Sequence, residues 1–345
     1  MLLRPRPSWE NQVIDHHEIY QECESKYGKP IDLAIRSTYN PKTKKYFAFS
    51  PSFIPCPVNY RKDLWDAVGM FPDTWDDVRI GGRKIKQELK TPVWVTLSEV
   101  NLSAMALRSI MYSFGAAIQD EEANLILNSK QTLEAVKFVK VLYEETLTRK
   151  ALHWDDKFLD FFDNIIAPGK ISLALNSISA IRRAEKNNPE ISPKIQLAKT
   201  PKGPVRRIVQ YYVPVYLTWK FAENIEGAKQ FLVDYVGHSR RAFLAGKFRD
   251  FPSFPGTIPD LKEMITTDSR GHPPTKYKVL EDVLDWTANM GYPGYANAAI
   301  EEAGEWIPKM FKEAAIGDAK PEDAIRDAEK QCKRIFSQWR ESGLI

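Results

Sequence analysis

FSPSFIPCPVNYRKDLWDAVGMFPDTWDDVRI, residues 49–80, joins an extended, proline-punctuated segment to a helix start. Its first part, Phe49 to Tyr60, alternates aromatic or apolar residues with Pro51, Pro55 and Pro57. A proline has no N–H to give to a sheet ladder, so this piece is expected to be an exposed or edge-like crossing strand. Thr74 then stands before Trp75 and Asp77. There the Thr oxygen can accept from the N–H of the third helical residue, a capping box with Asp in the place of Glu or Gln. A crossing strand that feeds a capped helix implies passage from one structural unit into another.

The rest of the chain is consistent with two such units. Its 345 residues exceed what one hydrophobic core usually serves. With 43% apolar, 27% charged and 12% aromatic residues, the composition is that of a folded chain. Lys and Arg number 49 against 45 Asp and Glu, a net charge of +4 without like-charge blocks, so a nucleic-acid partner is not expected. Cys23, Cys56 and Cys332 have no CxxC spacing, which argues against a zinc site or redox dithiol and leaves one disulfide open. No apolar run is long enough to cross a membrane, and LLRPRPSWEN after Met1 is not the apolar core of a signal peptide.

Outward from the opening stretch, periodicity predicts a helix over 11–27, two extended pieces over 31–57 joined by a turn at 40–45, and helices over 75–89, 103–114 and 129–150. Strands follow at 171–175, ending at Asn176 and Ser177, and at 195–198. IVQYYVPVYLT, 208–218, and FRDFPSFPGTIP, 248–259, share the aromatic, proline-containing texture of the opening stretch. Three such connections suit two lobes joined by a multi-strand hinge. Helices are expected over 223–236, 239–245, 296–315 and from Pro321 onward, where Pro and acidic residues favour a first turn.

Three motifs, VNYRKDLWDAVGMFPDTWDDV at 58–78, FFDNIIAPGKISLALNS at 161–177 and FKEAAIGDAKPEDAIRDAEKQCKRIF at 311–336, carry a resemblance in order and spacing. Together they make the chain resemble the extracellular solute-binding proteins of ATP-binding-cassette (ABC) importers, in the family that includes maltodextrin and other sugar binders. The resemblance implies a periplasmic-binding-protein-like (type II) two-lobed α/β fold with a three-segment hinge. Lobe 1 would comprise 1–52 and 214–252, lobe 2 would comprise 58–207 and 257–345, and the crossings would be 53–57, 208–213 and 253–256. Family members begin with a signal sequence and a strand-helix-strand unit. Met1 falls where that unit would have ended, so a truncated chain or a reduced first lobe is expected. The resemblance further implies a periplasmic or cell-surface location, a saccharide ligand, ABC permease transmembrane subunits as partners, a monomer, no cofactor and no enzymatic activity.

Catalytic motifs are missing from the sequence: there is no HExxH, GxSxG, phosphate loop or Cys/His cluster. Asp155 and Asp156 beside Trp154 could suggest glycosidase carboxylates, but adjacent residues rarely face each other across a sugar. A binding cleft for sugars needs aromatic platforms and planar hydrogen-bonding groups. Tyr211 and Tyr212 in the second crossing are the first candidates, against hinge packing as the alternative. Asn176 and Ser177 match the family's strand end, against turn capping. The resemblance places a binding loop at Trp94, Glu99 and Asn101. Trp154, and Tyr292 and Tyr295 in GYPGY, stand in loops suited to platforms. Trp65, Trp75, Trp306 and Trp339 fall on helical stripes and read as core, whereas His16, His17, His153 and His238 read as surface residues. Asn101-Leu-Ser103 is a glycosylation sequon by pattern alone. The alternatives that stay open are a polyamine, peptide or other polar solute, a glycan-processing enzyme, and a non-transport remnant of the family.

Overall fold

The computed structural model describes residues 7–93, 97, 101–147, 165–175, 177–269 and 271–345. After a 3-10 turn at Pro7–Gln12 come α1 (His17–Tyr27), α2 (Asp32–Thr38) and a two-strand ribbon of β1 (Tyr39–Asn40) and β2 (Lys45–Tyr46). The opening stretch forms β3 (Ser52–Phe53), β4 (Val58–Arg61), α3 (Lys62–Ala67) and α4 (Trp75–Leu89). Then follow α5 (Asn101–Ser113), α6 (Lys130–Thr146), β5 (Leu173–Leu175), α7 (Ser179–Asn187), β6 (Ile195–Ala198) and β7 (Val209–Gln210). The chain continues through α8 (Ile225–Gly237), α9 (Ser239–Ala245), β8 (Phe251–Pro252), α10 (Leu261–Thr266) and β9 (Thr287–Ala288). It closes with α11 (Ala298–Ala303), α12 (Trp306–Ala315) and α13 (Pro321–Glu341).

Local signals in the opening stretch act as the sequence predicts at α4. Thr74 Oγ1 accepts from Asp77 N at 3.0 Å, and the Asp77 carboxylate accepts from Thr74 N at 2.9 Å. Gly81 lets the helix approach Trp65, since a Cβ there would stand 2.4 Å from that ring. Trp65 and Trp75 are buried, and Trp65 Nε1 donates to Ser172 O at 3.1 Å. Their indoles anchor the core beneath β4.

The strand itself is not at an edge. β4 is the centre of an antiparallel three-stranded sheet, with Asn59 opposite Ala174 of β5 and Leu197 of β6. Phe49, Phe53, Ile54 and Cys56 are buried. Upstream, β3 pairs antiparallel with β8, while Ile54 N donates to Tyr212 O at 3.0 Å and Phe49 N to Tyr216 O at 2.7 Å. Pro51 serves as an acceptor, taking Ser253 N at 2.9 Å. The prolines do not force an edge because they sit where no N–H is required, and β4 begins after the last of them.

Several other expectations change. Residues 32–38 are helical, not extended: Asp32 pairs with Arg36 at 2.7 Å and Thr38 Oγ1 donates to Ala34 O at 2.8 Å, both one turn apart. The helix predicted from residue 11 starts only at His17, because Val13 and Ile14 are drawn into pairing with Trp219 and Thr218. The predicted helix over 296–315 is two helices broken at Gly304 and Glu305. The disulfide left open does not form, since all three cysteines are free and buried.

His16 is buried, not on the surface. Its Nε2 accepts from Thr218 N at 3.0 Å, so the proton is on Nδ1, which lies 3.0 Å from Tyr46 O and donates to it. One neutral ring therefore ties the first residues, β2 and the 216–219 segment together. Burial depresses its pKa below the ordinary 6.5, against the opposing pull of its bond to Tyr46 and of the Asp15 charge. The unfolded chain then binds the extra proton first, so the stabilisation is complete above pH 6.5 and is lost as pH falls from there through the folded pKa. His16→Asn is predicted to flatten the decline of melting temperature between pH 7 and 5, read by thermal scans across that range. An equally steep decline in the variant would exclude His16 as its source.

Candidate functional site

The strand 208–213 carries the first candidates across the interior. Tyr211 is 6% exposed, and Ser177, just beyond β5, is 3% exposed. The two are joined by a hydrogen bond at the Tyr211 hydroxyl, whose pKa burial raises well above the ordinary tyrosine value. Ser177 also meets Ser179 Oγ at 2.7 Å, and its carbonyl accepts from Asn59 Nδ2 at 3.5 Å. Tyr211, Cys56, Met105, Ser109, Leu175 and Gln210 enclose slivers of space too narrow for water. Tyr211 thus packs as part of the wall, and its neighbour Tyr212, half-buried, stands edge-on to it with centroids 4.9 Å apart.

From Tyr212 the polar groups continue through α5. Arg108 is buried, and its Nε donates to Gln210 Oε1 at 3.0 Å. Desolvation lowers its pKa, opposed by Tyr112, Tyr212 and Glu301, which lie close enough to favour the charge. One turn on, Tyr112 gives its hydroxyl proton to Met290 O at 2.7 Å, and burial pushes its pKa up to about 12. Its ring lies 5.5 Å from that of Tyr292. Arg206 donates to the Tyr292 hydroxyl and lies 5.5 Å above the same ring. Ser177, Tyr211, Tyr212, Arg108, Tyr112, Tyr292 and Arg206 therefore form one continuous aromatic and polar line.

Tyr295 stands at a second position on the same loop. Its ring lies 5.2 Å from the Arg36 guanidinium and 6.1 Å from the Tyr39 ring. The loop is held from several sides. Arg36 Nη1 donates to Pro293 O at 2.7 Å, Gln119 Nε2 to Gly291 O and Tyr295 O at 2.8 Å each, and Asn289 Nδ2 to Gly294 O at 3.0 Å. Asn176, Trp94, Glu99, Trp154, Asp155 and Asp156 lie outside the described residues. Asn101 opens α5, and Ser103 of the sequon is buried.

Arg108, Gln210, Arg206 and Arg36 join these tyrosines without standing out as site residues in the sequence. One signal was available, a single arginine inside the apolar run AMALRSIMYS. Among the described residues, no group of three or more His, Cys, Asp or Glu could hold a metal ion, and no helix is long and apolar enough to cross a membrane.

A mixed α/β chain whose proline-rich crossings are hydrogen-bonded side by side, with aromatic and planar polar groups along one of them, is a periplasmic-binding-protein fold. The model of the bacterial extracellular solute-binding protein family matches residues 29–244, and the chain belongs to that family. It is a non-enzymatic family of ABC-transporter solute-binding proteins. Maltose-bound MalE3 of T. maritima superposes with a TM-score of 0.76 at 20% identity, covering 95% of this chain and 82% of its own. The GacH receptor of Streptomyces glaucescens GLA.O, solved unliganded and with acarbose, gives 0.75 at 14% identity over 97% and 83% of the two chains. A sugar transporter from Arthrobacter chlorophenolicus A6 with bound laminaribiose gives 0.71 at 15% identity over 95% and 81%. No curated protein sequence matches the chain.

Gly304, where the C-terminal helix breaks, explains how Arg108 fits. A Cβ there would stand 2.5 Å from Arg108 Nη1. Gly304→Ala is predicted to cost about 1 to 3 kcal/mol in urea unfolding by displacing the guanidinium. In an Arg108→Met background the same substitution should cost much less, and an unchanged cost would show that the close approach is not the cause.

Proposed function

We propose that this solute-binding protein takes up a mono- or oligosaccharide between two lobes and delivers it to an ABC permease outside the cytoplasmic membrane. The observation that carries this reading is that the line reaches half-buried Tyr212, Tyr292 and Arg206, two aromatic rings and a guanidinium supported by the buried Gln210, Arg108 and Tyr112. Such a line offers both apolar faces and hydrogen-bond partners, the pair that sugar rings and their hydroxyls need. Three relatives of similar fold carry maltose, laminaribiose or acarbose in their structures, which supports the same class of ligand here.

The charges favour this over a polyamine. Arg36, Arg108 and Arg206 stand beside Tyr295, Tyr212 and Tyr292, whereas Glu301 is the carboxylate acting on Arg108. A polycation placed there would meet like charges among the described residues.

The reading includes a lobe division. We assign 1–52 and 214–252 to lobe 1, 58–207 and 257–345 to lobe 2, and the crossings to 53–57, 208–213 and 253–256. Ile19, Tyr20, Cys23, Phe49, Leu232, Val233 and Val236 of the assigned lobe 1 form, with Phe254 of the third crossing, a core separate from the large one, while Leu33, Phe243, Phe248 and Phe251 join the large core. Bending at the hydrogen-bonded crossings would close the cleft over the solute.

Thermal-shift measurements with maltose, laminaribiose, tagatose, spermidine and a tripeptide test the reading. A saccharide at a hundredfold excess over its dissociation constant should stabilise the protein by about 2.7 kcal/mol, with no shift from spermidine or peptide. Tyr212→Ala should weaken that binding about tenfold by calorimetry, corresponding to about 1.4 kcal/mol of ring contact. A folded protein that responds to spermidine or peptide and to no sugar would overturn the saccharide assignment.

A further inference from the structure

Gln210 has an unusual set of bonds for a residue in a two-residue strand. It is 5% exposed, and its side-chain amide is used at both ends: Oε1 accepts from Arg108 Nε at 3.0 Å, and Nε2 donates to Tyr211 O at 3.1 Å. The orientation of the amide follows from chemistry, because an arginine Nε–H can only donate and must therefore face the oxygen. Its own backbone N donates to Ser109 Oγ at 2.9 Å, and Ser109 Oγ in turn donates to Met105 O at 2.6 Å. Two residues of α5, one beside the other, thus hold one residue of the crossing by its side chain and its backbone.

Arg108 is itself fixed from the other side. The absent Cβ of Gly304 leaves room for its Nη1, and Glu301, Tyr112 and Tyr212 stabilise its charge. A buried guanidinium is costly to desolvate, and that cost is offset only where acceptors are provided in a set geometry. Here the geometry ends on the carbonyl that precedes Tyr212, whose own carbonyl accepts from Ile54 N at 3.0 Å in the first crossing.

We infer that Arg108 and Gln210 are positioning residues of the solute site, acting through the Tyr211 carbonyl to set the placement of the Tyr211–Tyr212 pair. This inference rests on the proposed role of Tyr212 in binding the solute. Neither side chain needs to touch the ligand. Each determines where the tyrosines stand before the ligand arrives, so that less order has to be imposed on binding.

Gln210→Glu separates positioning from bulk stability. The carboxylate keeps an acceptor for Arg108 and turns that bond into an ion pair, but it removes the N–H given to Tyr211 O. Amide hydrogen exchange of the unliganded protein over 208–214 should quicken about tenfold, the change expected from losing one buried hydrogen bond, while exchange in β4 stays as in the parent. Arg108→Met should produce the same local quickening, and Arg108→Lys should restore part of the protection. Maltose and laminaribiose affinities of Gln210→Glu, by calorimetry, should fall about tenfold, with unfolding in urea still cooperative and its midpoint lowered by no more than the loss of that one bond. Uniform quickening that includes β4, or unchanged exchange at 208–214, would overturn the inference. Local quickening with unaltered sugar affinity would overturn the link to binding. Absence of sugar binding by the parent would instead count against the saccharide reading, and the exchange comparison would still decide whether the two residues hold the tyrosine pair.

Discussion

Residues 49–54 are hydrogen-bonded along both edges, and the arrangement of the molecule depends on that pairing. On one side β3 and Pro51 meet β8 and Ser253; on the other, Phe49 and Ile54 meet Tyr216 and Tyr212. Segments about 150 to 200 residues apart in the chain are thereby aligned as neighbours, at a loop-closure cost that grows only slowly with separation. The prolines restrict where further bonds can form. They leave a short, defined set of contacts in place of a continuous ladder.

That alignment also brings the candidate site into being. The crossing that contains Tyr211 and Tyr212 is held laterally by Ile54, from α5 by Ser109 and Arg108, and at β9 through the parallel pairing of Gln210 with Ala288. β9 leads directly into the loop that carries Tyr292 and Tyr295. Positions far apart in sequence become parts of one line because the crossing is their shared support. Arg108 lies at the centre of it, in contact with the crossing, α5 and the break between α11 and α12.

How much of this the sequence reveals depends on the range of the interaction. The capping box at Thr74, the stripes of α4, α6 and α13, and the strands β5 and β6 arise from contacts within a few residues or from burial periodicity, and they stand where patterning places them. The three motifs, taken in order, indicate the family that the family model matches, although identity to MalE3 and GacH is only 20% and 14%. Candidate tyrosines were legible from their loops. The arginines beside them were not, because an arginine in an apolar helix reads as an interruption until its distant acceptors are known.

The helices and strands with strong local signals, the aromatic character of the proline-rich segments and the class of protein are therefore readable without the structure. Tertiary structure alone decided that the proline-rich strand leads into the centre of a sheet, that His16 is a buried neutral ring, that the cysteines stay apart, and that one C-terminal helix breaks at Gly304. The physical reason is the same in each case. Hydrogen bonds to His16, Gln210 and Ile54 come from partners more than a hundred residues away, and a steric limit such as that at Gly304 is set by a side chain from another helix. Local propensity holds no record of such partners, and it yields to them wherever the buried polar groups they satisfy would otherwise be left unpaired.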